Sequence, residues 1–231
     1  QSVTPEQLIQ LNSEATTTTT TPSHSAALNK NLIGASVADR LEGTQGLVYG
    51  HDLLDAGIGN DTCYGHRGQD TLLGGAGDDF LHGNHGKDSL IGGLGDDTIR
   101  GGHGKDEILG GAGSDWMWGG IGANELKAGA NDGVSDAIYV PVDAVQNSNY
   151  GNPGGANRDL LHELDSSDKI YLHGTGITDG MLTYADGVND PNGTGNTGVG
   201  IYANGTLEAL IIGSGLNATQ INAMTTGGWY A

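Results

Sequence analysis

The chain has 231 residues, of which 43 are glycine, while only 35% are hydrophobic and 5% aromatic. Glycine so far above the usual roughly 7% leaves either a disordered chain or a backbone geometry that needs glycine. A formal charge of −19, from 28 acidic and 9 basic residues, argues against a nucleic-acid surface and for a cation, a divalent metal, that completes the fold. In chain order, TPEQLIQLNSEA near the N-terminus predicts a short helix opening after Thr4-Pro5. The run TTTTTTPS that follows is a flexible, polar linker. Residues 31–49, NLIGASVADRLEGTQGLVY, lead into the next segment and cap its first turn. Together, residues 1–46 form an extended N-terminal arm.

From residue 50 the triplet Gly-x-Asp returns every nine residues. It stands at Gly50/Asp52, Gly59/Asp61, Gly68/Asp70, Gly77/Asp79, Gly86/Asp88, Gly95/Asp97, Gly104/Asp106 and Gly113/Asp115. A ninth copy, Gly122/Asn124, has lost its carboxylate. Two residues after each triplet stands an apolar residue: Leu54, Cys63, Leu72, Leu81, Leu90, Ile99, Ile108, Met117 and Leu126. The unit is Gly-Gly-x-Gly-x-Asp-x-U-x, with U apolar. Glycine permits positive φ and bares the backbone, so a tight turn can aim carbonyl oxygens inward. Aspartate adds a hard, charged oxygen, and calcium takes about six to eight such oxygens. The x-U-x remainder makes a strand of about three residues with U facing inward.

This nonapeptide resembles the calcium-binding repeat of the RTX, or hemolysin-type, family of secreted bacterial proteins. The resemblance covers about 48–127. It implies an all-β fold: a right-handed parallel β-roll over residues 47–135, two units per turn, with loops 18 residues apart stacked around calcium. One edge then carries Asp52, Asp70, Asp88 and Asp106, and the other Asp61, Asp79, Asp97 and Asp115, each beside its glycine from Gly50 to Gly113. With the Asn124 loop this gives roughly seven calcium ions. Folding and metal binding should be one event, because one apolar residue in nine cannot offset chain entropy.

The two edges differ in charge. GHRGQD, GNHGKD and GGHGKD bring His66, Arg67, His85, Lys87, His103 and Lys105 to one of them. AGIGND, GGAGDD, GGLGDD and GGAGSD add Asp78 and Asp96, further candidate ligands, to the other. The bases either balance a metal column or pair with the acidic edge of a second copy. Leu73, Ile91 and Leu109 form an outward apolar stripe on one sheet. Tyr64, Phe80, Trp116 and Trp118 face outward on the other. These are candidate partner surfaces, either covered by the same chain or another subunit, or stacked on sugar rings.

The rhythm ends at 128–136. Residues 136–231 are expected to form a β-rich C-terminal cap. DAIYVPVDAV (136–145) reads as a strand, with Pro141 suggesting an edge. NRDLLHELDSSDKIYLHG (157–174) resembles the segment that closes an RTX block, with Asp159, Asp168, Ile170 and Leu172 in matching places. GVGIYANGTLEALIIG (198–213) predicts a hairpin turning at Asn204-Gly205, and LNATQINAMTT (216–226) a short helix capped by Asn217.

Cys63, the single cysteine, forms no intrachain disulfide, and no apolar run approaches the roughly 18 residues of a membrane span. No nucleophile–base set appears, so an enzyme is not expected. The resemblance implies one-step secretion from a Gram-negative-type bacterium and folding outside, where calcium is abundant. The expected function is an extracellular, self-assembling structural protein: an S-layer, sheath, matrix or filament subunit, present as a homo-oligomer or polymer. The other readings are an adhesin or carbohydrate-binding module on surface polysaccharide, and the C-terminal secretion module of a larger enzyme or toxin.

Overall fold

The computed structural model describes residues 30–45, 50–129, 133–141, 158–173, 182–189, 197–203 and 205–227. The expected N-terminal helix, the Thr-rich linker and the loop at 142–157 lie outside these residues. The first turn comprises β1 (Asn31–Ile33) and β2 (Arg40–Glu42). The nonapeptides supply β3 (Leu53–Ile58), β4 (Thr62–Gly68), β5 (Thr71–Ala76), β6 (Phe80–Gly86), β7 (Ser89–Leu94), β8 (Thr98–His103), β9 (Glu107–Ala112), β10 (Trp116–Ile121) and β11 (Glu125–Lys127). Beyond them lie β12 (Ala137–Pro141), β13 (Asp159–His162), β14 (Lys169–His173), β15 (Leu182–Asn189), β16 (Thr197–Ala203), β17 (Thr206–Ile212), the helix α1 (Ala218–Met224) and β18 (Thr225–Gly227).

Odd and even strands separate into two sheets, as a chain that crosses over after every nonapeptide must. One sheet runs β1-β3-β5-β7-β9-β11-β13-β17-β16-β15, and the other β18-β14-β12-β10-β8-β6-β4-β2. Pairing is parallel except for β15-β16-β17, which are antiparallel. The architecture is a parallel β-solenoid, the β-roll the repeat implies. Its register stacks the U residues. Leu54, Leu72, Leu90, Ile108, Leu126, Leu161 and Ile211 form one ladder. Leu41, Cys63, Leu81, Ile99, Met117, Ile138 and Ile170 form the other.

These side chains make a continuous core, each almost wholly buried. Each large aliphatic buried this way contributes about 1.5–3 kcal/mol. Burial also pushes the Cys63 thiol up to about 12, with nearby aspartates adding to the shift, so Cys63 serves as a small apolar residue.

Parallel stacking continues past residue 135: β12 pairs β10, β13 pairs β11 and β14 pairs β12. β12 is therefore an inner strand and not the edge that Pro141 suggested. The β10 ladder stops at Tyr139, two residues short of Pro141, so no bond to β10 is lost to the missing N–H. The hairpin β16–β17 forms as its sequence predicts, and β17 joins the odd-numbered sheet beside β13. Helix α1 follows Asn217, whose side chain accepts the Gln220 N–H while Gln220 answers with a bond to the Asn217 N–H. Among the described residues, no helix is long and apolar enough to cross a membrane.

Candidate metal centre

Each aspartate of the repeat sits immediately before a strand, where the loop turns into the sheet. All eight are buried, from Asp52 to Asp115, as are Asn124, Asp136, Asp159 and Asp168. The backbone N–H of each accounts for one oxygen of the next turn. Asp52, Asp61, Asp70, Asp79, Asp88 and Asp97 donate to Oδ1 of the aspartate 18 residues on, and Asp106 donates to Oδ1 of Asn124. All seven bonds lie between 2.8 and 3.0 Å. The ladder then leaves the nonapeptide rhythm without breaking. Asp115 donates to Asp136 at 2.8 Å, Asn124 to Asp159 at 3.0 Å and Asp136 to Asp168 at 3.0 Å.

The second oxygen is different. Oδ2 of Asp61, Asp70, Asp79, Asp88, Asp97, Asp106, Asp115 and Asp159 is buried with no hydrogen-bond partner. In the six loops that end in Asp70 to Asp115, what lies beside it is the first glycine of the loop and a carbonyl of the next turn, whereas the Asp61 loop begins with Ala56. A Cβ on Gly74 would stand 2.5 Å from Asp79 Oδ2 and 2.6 Å from the Gly92 carbonyl oxygen. One on Gly101 would stand 2.5 Å from Asp106 Oδ2 and 2.6 Å from the Gly119 oxygen. The absent side chain leaves a seat where anionic and carbonyl oxygens converge with no donor between them. Among the described residues no three His, Cys, Asp or Glu side chains gather as a chelate. The donor set is one carboxylate per loop plus backbone carbonyls, all hard oxygen, which suits calcium better than a transition metal.

The electrostatics agree. Burial first, and neighbouring column carboxylates second, push Asp70, Asp88 and Asp97 up to about 7 and Asp115 to about 8; burial raises Asp106 to about 6. Burial likewise raises Asp159 to about 7, and Asp61 and Asp79 move the same way. A raised carboxyl pKa means the metal-free fold holds protons more tightly than the unfolded chain. That stabilisation is complete below about pH 4. It is lost as pH rises through about 6 to 8, the range of these groups. In calcium-free buffer the β signal should therefore grow on acidification from pH 8 to 4. Calcium affinity should fall over the same range, because each ion must displace a proton. Circular dichroism and calcium titration across that range measure both.

Among the glycines from Gly50 to Gly113 that precede the aspartates, several let the turns stack. A Cβ on Gly68, Gly86 or Gly104 would overlap the carbonyl oxygen of the equivalent glycine one turn earlier. The first glycine of the loops that end in Asp70 to Asp115 was the missed element, together with Asp136, whose interval of 21 from Asp115 falls outside the count of nine. Asp78 and Asp96 are not brought to the column. Both are exposed and hydrogen-bond along the outer edge: Asp96 N–H donates to Asp78 Oδ1 at 3.0 Å, and Ser114 N–H to Asp96 Oδ1 at 2.8 Å. A carboxylate one residue before the column aspartate points to the opposite side of the backbone.

Leu73, Ile91 and Leu109 do lie in one row, but half-buried. The more exposed apolar row is the neighbouring one at the acidic edge, Ile58, Ala76, Leu94 and Ala112, where Ile58 and Leu94 are each 61% exposed and Ala76 is half-buried. On the other sheet Tyr64 meets Phe80 with ring centres 5.7 Å apart, and Trp116 meets Tyr139 at 4.6 Å. Arg100 lies over the Phe80 and Trp116 rings at 5.6 and 5.0 Å. Between β6, β8 and β10 runs a groove of about 350 Å³ lined by His82, Asn84, His85, Arg100, His103 and Trp118, among others.

The family profile of the RTX calcium-binding nonapeptide repeat matches the chain in four copies, at residues 49–72, 64–99, 91–126 and 100–133. Comparison with curated proteins finds no match.

Proposed function

We propose that the chain, whose residues 49–133 match the RTX calcium-binding nonapeptide repeat, is an extracellular structural protein that folds on calcium and then self-associates at a bacterial cell surface. The repeat is a calcium-binding structural unit and not a catalytic one. The row of buried Oδ2 atoms without partners carries the calcium half of the reading. In a cytoplasm poor in calcium the carboxylates repel and the chain stays unfolded, ready for one-step export. Outside, calcium at about 10⁻³ M is enough for sites of the extracellular class. The metal is thus a signal of location as well as a staple.

The apolar row Ile58, Ala76, Leu94, Ala112, exposed at all but Ala76, supports self-association. It runs beside the exposed Asn60, Asp78, Asp96 and Ser114, and the opposite edge presents exposed His85, Lys87, His103 and Lys105. Each column repeats once per turn, so two copies can match acid to base along their length at one common spacing. Contact between unlike edges is heterologous and propagates into a filament or sheet. Light scattering and electron microscopy after calcium addition should show ordered polymers. A chain that folds with calcium and stays monomeric at every concentration sinks the assembly reading.

The groove beside Arg100 and Trp118 favours a second reading, an adhesin or carbohydrate-binding module, since a guanidinium and an indole are the groups that grip an acidic sugar. Glycan-array binding by a non-assembling monomer would promote it. A catalytic domain upstream in the full gene would instead make the chain the secretion module of a larger protein.

A further inference from the structure

The orphan oxygens stop where the chain supplies its own donors. Lys30 stands where a repeat unit would carry its aspartate. Its backbone N–H donates to Asp52 Oδ1 at 2.6 Å, the same bond every column aspartate makes to the next turn. Its ammonium donates to the carbonyls of Gly43 at 2.9 Å and Glu42 at 3.1 Å. Gly43 heads the loop that ends in Asp52, as Gly83 heads the loop that ends in Asp88. The Gly83 carbonyl lies beside Asp70 Oδ2, two oxygens that need a cation between them. The Gly43 carbonyl already has one.

One step on, Asp52 Oδ2 accepts the Thr44 N–H at 2.5 Å, and on the other edge Asp39 Oδ2 accepts the Ala35 N–H at 2.6 Å. At the far end of that edge, Asp168 Oδ2 accepts the Asp165 N–H at 2.8 Å. Asn124 is the counterpart within the column. Its Oδ1 keeps the ladder bond from Asp106. Its Nδ2 takes the place that Oδ2 holds elsewhere, 2.5 Å from where a Gly119 Cβ would stand, and turns to the Gly120 and Gly122 carbonyls at 3.4 and 3.5 Å.

We propose that Lys30 and Asn124 are built-in stand-ins for calcium. Within the repeat, calcium enters only at the seven loops that end in Asp61, Asp70, Asp79, Asp88, Asp97, Asp106 and Asp115, the ones with an orphan oxygen. The Asp52 and Asn124 loops, which the repeat pattern includes, take none. The physical reason is charge and donor balance: an ammonium or an amide N–H meets a carbonyl directly and leaves a divalent ion neither the negative charge nor the open seat it needs.

The inference rests on calcium occupying the column, and native mass spectrometry in calcium separates the two. A parent chain that binds no calcium removes the reading of the column itself. Given a parent that binds calcium, Asn124→Asp should add one ion and Lys30→Asp another, with the pair additive. Asn124→Ala should leave the count unchanged, which tests the seat without asking a new carboxylate to fold into it. An Asn124→Ala chain that loses one ion, or an Asn124→Asp chain that folds by circular dichroism and gains none, overturns the proposal.

Discussion

Chelation of calcium by EGTA at pH 7.5 is expected to abolish the β-sheet signal of residues 50–129, and returned calcium to restore it in a cooperative transition. The reason is a comparison of magnitudes. Within the repeat, seven carboxylate oxygens are buried without a partner. A buried polar atom left unsatisfied costs on the order of 1–3 kcal/mol, and more when charged. The sum rivals or exceeds the whole stability of an ordinary domain, about 5–15 kcal/mol. The core cannot make up the difference, because each nonapeptide buries one U residue and otherwise glycine and polar groups. Circular dichroism with and without EGTA reads the result directly. An unchanged spectrum would falsify the coupling of metal to fold.

Substitution of Gly104 by alanine is expected to be among the most damaging single changes of small size in the roll. Gly104 has φ of +149°, which alanine rarely adopts, and its Cβ would overlap the Gly86 carbonyl oxygen of the preceding turn. That oxygen belongs to the backbone and cannot swing away. The stack spacing is fixed on both sides, since Gly104 N–H also donates to the Ile121 carbonyl at 2.8 Å. A loss of about 4 kcal/mol or more is expected, the range reserved for steric overlap added to backbone strain. Gly205→Ala is the control. Gly205 also has positive φ, +80°, but nothing lies within 4 Å of its Cβ. Its cost should stay near the conformational penalty alone, about 1–2 kcal/mol. Urea unfolding of both variants in saturating calcium separates the two contributions. Equal losses would mean that the stack yields where the geometry says it is rigid.

Both expectations place the calcium on the same structural feature. The first glycine and the aspartate of a loop are five residues apart, yet the seat between them is completed by a carbonyl 18 residues downstream, as with Gly74, Asp79 and Gly92. No single loop is a site. Binding at one seat fixes the spacing of the next turn, so calcium and strand pairing should propagate together along the solenoid. Donors at the ends, from Lys30, Thr44, Ala35 and Asp165, leave the terminal turns satisfied without metal at those positions.

The strands of the roll, the inward residues and the column from Asp52 to Asp115 are legible in the order of residues alone. The cause is the unbroken period of nine. With glycine at two or three places and aspartate at one, each unit has a single low-energy course, and every copy repeats the signal. The helix after Asn217 and the hairpin β16–β17 were equally legible, because a capping box and an Asn-Gly turn are local signals.

The tertiary structure decided what has no period. Asp136 joins the column at an interval of 21 residues, and Asp159 and Asp168, which the closing segment's sequence marks, take their places in it at intervals of 35 and 32. The aspartates Asp78 and Asp96 share composition with the column but face outward, because alternation along the backbone sets direction and composition does not. Asp52 and Asn124 match the repeat, yet the chain itself satisfies their second side-chain atoms: the Thr44 N–H donates to Asp52 Oδ2, and Asn124 Nδ2 donates to the Gly120 and Gly122 carbonyls. A repeat states where a site can be. Which seats lack a proton donor depends on neighbours 8 to 22 residues away, and only the folded chain brings them together.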